Sequence, residues 1–208
     1  MDTTDPSRRH VVALGASLAG LGAAGGAVPA AAAPAAGPSA AAGAAKCAPW
    51  MSITLPRLQD ERAIDLCQHA GKVWLVVNTA SECGYTPQYR GLEALHDRFK
   101  ARGLVVMGFP SNDFGGQEPA ANARIADFCE NQFGVRFPMF AKSAVRPGSG
   151  AVNPLFAQLT QRSGVAPEWN FHKYLVDRRG ERVISHRPGT DPLAPALVRD
   201  IERLLDAK

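Results

Sequence analysis

Val73-Trp74-Leu75-Val76-Val77-Asn78-Thr79-Ala80-Ser81-Glu82-Cys83-Gly84-Tyr85-Thr86-Pro87 passes without a break from one kind of structure to another. Its first five residues are apolar and mostly β-branched, the pattern of a strand covered on both faces. Small and polar turn residues follow, and Pro87 then stands where a helix opens. Apolar Leu92, Leu95 and Phe99 continue at helical spacing up to Gly103. A second buried run, Leu104-Val105-Val106-Met107-Gly108-Phe109, comes next. A strand, a helix and a second buried strand in this order form a parallel unit.

Downstream the pattern continues to alternate. A helix is expected from Ala120 to Phe133, with Ile125, Phe128 and Cys129 on one face and Gly134 as its stop. Pro138-Met139-Phe140 reads as a short strand, and Pro154 to Arg162 as a third helix that turns Leu155, Phe156 and Leu159 inward. Phe171 to Val176 and Arg182 to His186 read as two strands joined at Asp177-Arg178-Arg179-Gly180. Leu193 to Leu205 closes the chain as a helix. The fold class is therefore α/β, a central mixed sheet flanked by helices, and the thioredoxin-like fold is the economical match.

The N-terminal region differs from the rest. No charged residue occurs from Val11 to Ala45, and Ala, Gly and Pro dominate, so little side-chain area is available for a core. Ser7-Arg8-Arg9-His10-Val11-Val12 precedes this stretch, and later Ala-x-Ala sites would suit cleavage. Residues 1–46 read as a twin-arginine export signal with an alanine-rich leader, and 47–208 as the mature domain. The alternatives are a disordered leader and an uncleaved membrane anchor. Export implies a periplasmic or otherwise extracytoplasmic setting, where Cys47 and Cys67 are expected to pair as a structural disulfide. A formal charge of +4 without a basic run gives no footprint for nucleic acid. The histidines and cysteines lack the close-spaced pairs of a zinc site, so no metal or cofactor is implied.

Cys83 carries the chemical signal. At the N-terminal end of a helix, free amide donors and the helix dipole favour thiolate over thiol. The competing reading is a cysteine packed as a small hydrophobe. Thr86 fills the position that a Cys-x-x-Cys pair needs, which excludes a dithiol oxidoreductase built on that motif. Gln117, in a Gly-Gly turn after the second strand, offers an amide donor or is a surface turn residue. Trp169 and Asn170 offer an indole and an amide donor, or are a core tryptophan with its cap. A non-catalytic redox sensor acting through Cys83 is the rival from another functional class.

Three blocks settle the comparison: Cys-Gly-Tyr-Thr-Pro-Gln-Tyr from Cys83, Phe-Pro-Ser-Asn-Asp-Phe-Gly-Gly-Gln-Glu-Pro from Phe109, and Trp-Asn-Phe from Trp169. In this order they resemble the non-selenium glutathione peroxidase family, over about Leu58 to Leu205. The resemblance implies a thiol peroxidase that reduces hydrogen peroxide or organic hydroperoxides, with Cys83 as nucleophile and Gln117, Trp169 and Asn170 hydrogen-bonding to it. It also implies Cys129 as the resolving cysteine. The short link between Phe156 and Trp169 is similar to the monomeric branch that prefers a thioredoxin-like protein over glutathione as reductant. Ser111 and Asp113 depart from the family's commoner cysteine and glutamine, outside the four catalytic positions. His172 has no catalytic role in this comparison.

Overall fold

The computed structural model describes residues 46–207. The export signal and leader expected over residues 1–46 lie outside them, apart from Lys46. The elements are β1 (Thr54–Pro56), β2 (Ala63–Asp65), β3 (Val73–Thr79), α1 (Gln88–Phe99), β4 (Leu104–Pro110), α2 (Asn122–Phe133), α3 (Pro154–Ser163), β5 (Lys173–Val176), β6 (Val183–His186) and α4 (Pro195–Asp206). The main sheet has the order β4-β3-β5-β6. β3 and β4 are parallel, from Val73 opposite Leu104 to Thr79 opposite Pro110, whereas β5 and β6 run antiparallel.

Every residue of β3 and β4 is buried, because each face of the sheet carries its own helical layer. Val73, Leu75 and Val77 face a core shared with Leu92, Leu95 and Phe99 of α1, Ile125 of α2 and Ile201 of α4. Trp74 and Val76 face the opposite core, with Leu155, Phe156 and Leu159 of α3. Alternation along the strand distributes these side chains between two cores. At about 1.5–3 kcal/mol for each fully buried large apolar side chain, the layers fix the sheet that carries the site.

Several expected boundaries shift, among them β6 to Val183 and α4 to Pro195 from Arg182 and Leu193. α2 starts at Asn122 rather than Ala120. Pro138 to Phe140 forms no strand, and only isolated bridges pair Met139 with Gly108 and Phe140 with Arg57. β5 starts at Lys173, since Phe171 has φ 64°, which no extended strand accommodates. The β1–β2 hairpin was not foreseen, because two three-residue strands give too few positions to show a period. Cys47 and Cys67 are joined by a disulfide across a sequence separation of 20, tying the N-terminal segment to the turn after β2.

Candidate active site

Three loops meet beyond the C-terminal ends of β3 and β4. In the first, Thr86 acts as a rivet: its Oγ1 accepts from the Cys83 amide at 3.1 Å and donates to Ala80 O at 2.9 Å. The side chain in place of a second cysteine therefore holds the backbone of the first. Cys83 is 9% exposed, and its Sγ accepts from the Tyr85 amide at 3.4 Å. It is a free cysteine. Sequence reading did not single out Tyr85, whose N–H meets the sulfur and which is itself 40% exposed.

The second loop is a tight turn. Gly115 and Gly116 both have φ 65°, a conformation that disfavours any side chain, and Gln117 N donates back to Phe114 O at 3.4 Å. Asn112 Oδ1 accepts from Glu118 N, closing the loop. Glu82 N donates to Gln117 O at 3.0 Å, so the residue before Cys83 is bonded directly to Gln117.

Asn78 anchors the third loop. At the end of β3 its Nδ2 donates to Trp169 O at 3.0 Å and its carbonyl accepts from Phe171 N at 2.7 Å. These bonds hold Phe171 in its left-handed conformation, a strain of about 1–3 kcal/mol that persists only where the surroundings enforce it. Between the two anchors Asn170 is fully buried, and its Nδ2 donates to Gln117 Oε1 at 2.9 Å and to Phe114 O at 3.4 Å. That bond orients the Gln117 amide and leaves its Nε2 as a donor. Trp169 is no core tryptophan: it is 40% exposed and packs on Phe114 with centroids 5.6 Å apart. Trp169, Tyr85 and Arg187 line one open cleft of about 700 Å³.

Two buried groups border the site. Glu118 receives a hydrogen bond from Ser81 Oγ at 3.1 Å, and burial raises its carboxyl to about 7. Cys129 belongs to the same apolar core as Cys83, but α2 holds it 2% exposed and burial raises its thiol to about 11. It is a protonated thiol inside a closed helix. His172 is buried with Nε2 2.8 Å from Ser185 Oγ, and desolvation lowers it to about 4. A neutral imidazole bonded to a hydroxyl fits packing.

A free cysteine at a strand-to-helix junction, with Thr86 in place of a second cysteine, defines a thioredoxin-fold protein equipped for thiol chemistry rather than Cys-x-x-Cys exchange. The glutathione peroxidase family model matches residues 53–160. A hydroperoxy fatty acid reductase of Synechocystis is 47% identical over 156 residues, covering 70% of this chain and 90% of that protein. A glutathione peroxidase-like peroxiredoxin of Schizosaccharomyces pombe is 42% identical over 154 residues, covering 72% and 95%. Among solved structures, T. cruzi GPX1 superposes with a TM-score of 0.59 at 28% identity, over 75% of this chain and 95% of that one. The chain belongs to the glutathione peroxidase family, and it is a thiol peroxidase that reduces hydroperoxides.

Proposed function

We propose that Cys83 is the peroxidatic nucleophile and that Gln117, Trp169 and Asn170 form the donor set around its reaction. The Cys83 thiolate attacks the terminal oxygen of R–O–O–H. An S–O bond forms, the O–O bond breaks, Cys83 becomes a sulfenic acid, and the leaving R–O⁻ takes a proton to become an alcohol, or water when R is hydrogen. Negative charge moves from sulfur to the leaving oxygen, and donors already in place stabilise it without reorganising. The observation that carries this reading is the hydrogen bond from Asn170 to Gln117 Oε1, because it commits the other end of the Gln117 amide to donation.

The oxidised enzyme is returned in two steps. Cys129 attacks the sulfenic sulfur, giving a Cys83–Cys129 disulfide and water, and an external dithiol then reduces that disulfide. The reductant is a thioredoxin-like protein rather than glutathione, a preference supported by the short link before Trp169. Relatives named for hydroperoxy fatty acid reduction support organic hydroperoxides beside hydrogen peroxide as substrates. Export to the periplasm, with the leader removed, is supported by Arg8-Arg9 and by the Cys47–Cys67 disulfide, a bond of oxidising compartments, and a monomeric mature domain by the short link before Trp169.

The test is peroxide consumption by the mature domain, with thioredoxin, an exported thioredoxin-like donor or glutathione as the only reductant. Turnover with a protein dithiol and little with glutathione is expected. Efficient turnover with glutathione alone would overturn the reductant assignment, and full turnover by Cys83→Ser would overturn the nucleophile.

A further inference from the structure

Lys173 opens β5, yet none of its surface reaches solvent. A buried ammonium is costly unless its donors are matched. Here Nζ donates to Phe171 O at 2.6 Å and to Pro188 O at 3.1 Å. Both acceptors belong to the framework of the active site. Phe171 is the left-handed residue that ends the Trp169-Asn170 turn. Pro188 stands in the wall of the cleft that Tyr85 and Trp169 also line. Its carbonyl accepts a second hydrogen bond, from Gln88 Nε2 at 2.9 Å, and Gln88 is the first residue of the helix that follows Cys83. One buried cation thus joins the donor-bearing turn to the cleft wall and, through a shared carbonyl, to the nucleophile's helix.

We propose that Lys173 is a positioning residue for peroxide reduction, whose two hydrogen bonds hold the Trp169–Phe171 turn and the Pro188 rim in the register at which the site's donors meet the oxygen that leaves when Cys83 breaks the peroxide O–O bond. The inference rests on the assignment of Cys83 and its donors given above. Asp191, on the rim loop, is the acidic group acting on Lys173. His186 lies opposite it on β6 and faces Asp200 of α4 at 3.4 Å, His172 adjoins it in sequence, and α1 offers the neutral Gln88. Burial lowers the amine to about 7. A neutral amine still has two N–H bonds for two carbonyls, so the clamp depends on the donors and not on the charge.

Lys173→Met keeps much of the stem and removes both donors. Two second-order rates at Cys83 are compared: oxidation by hydrogen peroxide in stopped flow, and alkylation by iodoacetamide. Alkylation needs a reachable thiolate but no donors aligned on a leaving oxygen. Oxidation is expected to fall by about tenfold or more while alkylation stays within about twofold, since misplacement of a positioned group by about 1 Å costs rate only in the aligned reaction. The shift in the ratio is expected to be the same at roughly pH 6 and pH 8, on either side of the amine's titration. A ratio unchanged from wild type, or two rates falling together as in a general loosening of the fold, overturns the proposal. If Lys173→Met does not fold, Gln88→Leu removes the other donor to Pro188 O from a half-buried position. A selective fall in its peroxide rate supports the proposal, and an unchanged ratio overturns it. Wild-type Cys83 that resists peroxide would overturn the underlying assignment as well, an outcome distinct from a reactive wild type with an unaltered variant.

Discussion

Asn170→Asp reverses one hydrogen bond while adding almost no volume. In the native site Nδ2 of Asn170 donates to Gln117 Oε1 at 2.9 Å and to Phe114 O at 3.4 Å. An ionised carboxylate has no proton to give, so an aspartate oxygen there faces two oxygens. Gln117 relieves one of these contacts by turning its amide through half a turn and donating Nε2 to the carboxylate. Oε1, an acceptor, then stands where the donor Nε2 stood. Losing one preorganised donor costs about 2.7–4 kcal/mol, or about 10²–10³ in rate. Asn170→Ala frees the Gln117 amide without reversing it, so Nε2 keeps its native direction part of the time and the loss is about tenfold. The expected order of peroxide reactivity is wild type, then alanine, then aspartate, with thermal melts showing that all three fold. Burial raises the new carboxyl, and once protonated it regains a donor, so the aspartate variant should recover as the pH falls. Single-turnover oxidation of Cys83 by hydrogen peroxide, followed between roughly pH 5 and pH 8, measures this. An aspartate variant equal to or faster than alanine across that range would refute the idea that the orientation of the Gln117 amide matters.

Cys83→Ser should abolish peroxide reduction while leaving the melting transition in place, because a hydroxyl is scarcely ionised at neutral pH; residual turnover near wild type sinks the nucleophile assignment. Removing the Cys47–Cys67 disulfide by a double substitution to alanine should cost about 3 kcal/mol in chemical denaturation, the chain-entropy value for a loop near 20 residues; a loss well below 1 kcal/mol would show that the bond does not restrain the unfolded chain in this way. Burial holds the Glu118 carboxyl at about 7 against an ordinary 4.5, so its contribution to stability is complete below pH 4.5 and is lost as the pH rises through 7. Glu118→Gln should remove that slope, worth up to about 3 kcal/mol, and identical pH dependence in variant and wild type would contradict it. Peptide mapping after one equivalent of peroxide should find Cys83 crosslinked to Cys129; a lasting sulfenic acid beside a free Cys129 would mean that an external thiol resolves it.

The framework was readable because its signals were redundant. β3 and β4 announce themselves as apolar runs, α1 and α3 by their spacing, and Gly134 ends α2 in the left-handed conformation expected of it. Of the residues proposed for the site, Cys83 stood out by its turn setting between a buried strand and a helix, whereas Gln117, Trp169 and Asn170 stood out only through the order of motifs that resembles the family. Asn78, Glu118 and Lys173 were missed as parts of the site, each for a physical reason. Asn78 sits within a buried strand, and nothing local tells that one of its bonds reaches across 91 residues to Trp169 and another to Phe171 beyond it. Glu118 and Lys173 look like surface charges until tertiary packing removes their water. The conformation of Phe171 was equally hidden, because glycine advertises a positive φ and phenylalanine does not.

The depth at which Cys129 lies bears on how the peroxidatic cycle closes. A thiol raised to about 11 by burial is a poor nucleophile where it stands, so resolution by Cys129, as proposed above, requires a state in which it has water. α2 is built to reach such a state at low cost. Of its residues only Ile125 and Cys129 are fully buried, its N-cap Ala121 supplies no side-chain bond, and no acidic residue supports its first turn. α4, by contrast, buries Leu197, Ile201, Leu204 and Leu205. Local opening free energies follow the apolar area that opening exposes, so α2, though Phe128 and Phe133 also pack on the core, is expected to open at lower cost than α4 or the sheet, as hydrogen exchange would measure. Opening delivers both things the reaction needs, solvent for the thiol and slack for its approach to Cys83. The rigid part of the molecule, clamped through Asn78, Thr86 and Asn170, keeps the donors fixed for the peroxide step. On the proposed cycle, the sparsely anchored helix holds the second cysteine back until that step is done.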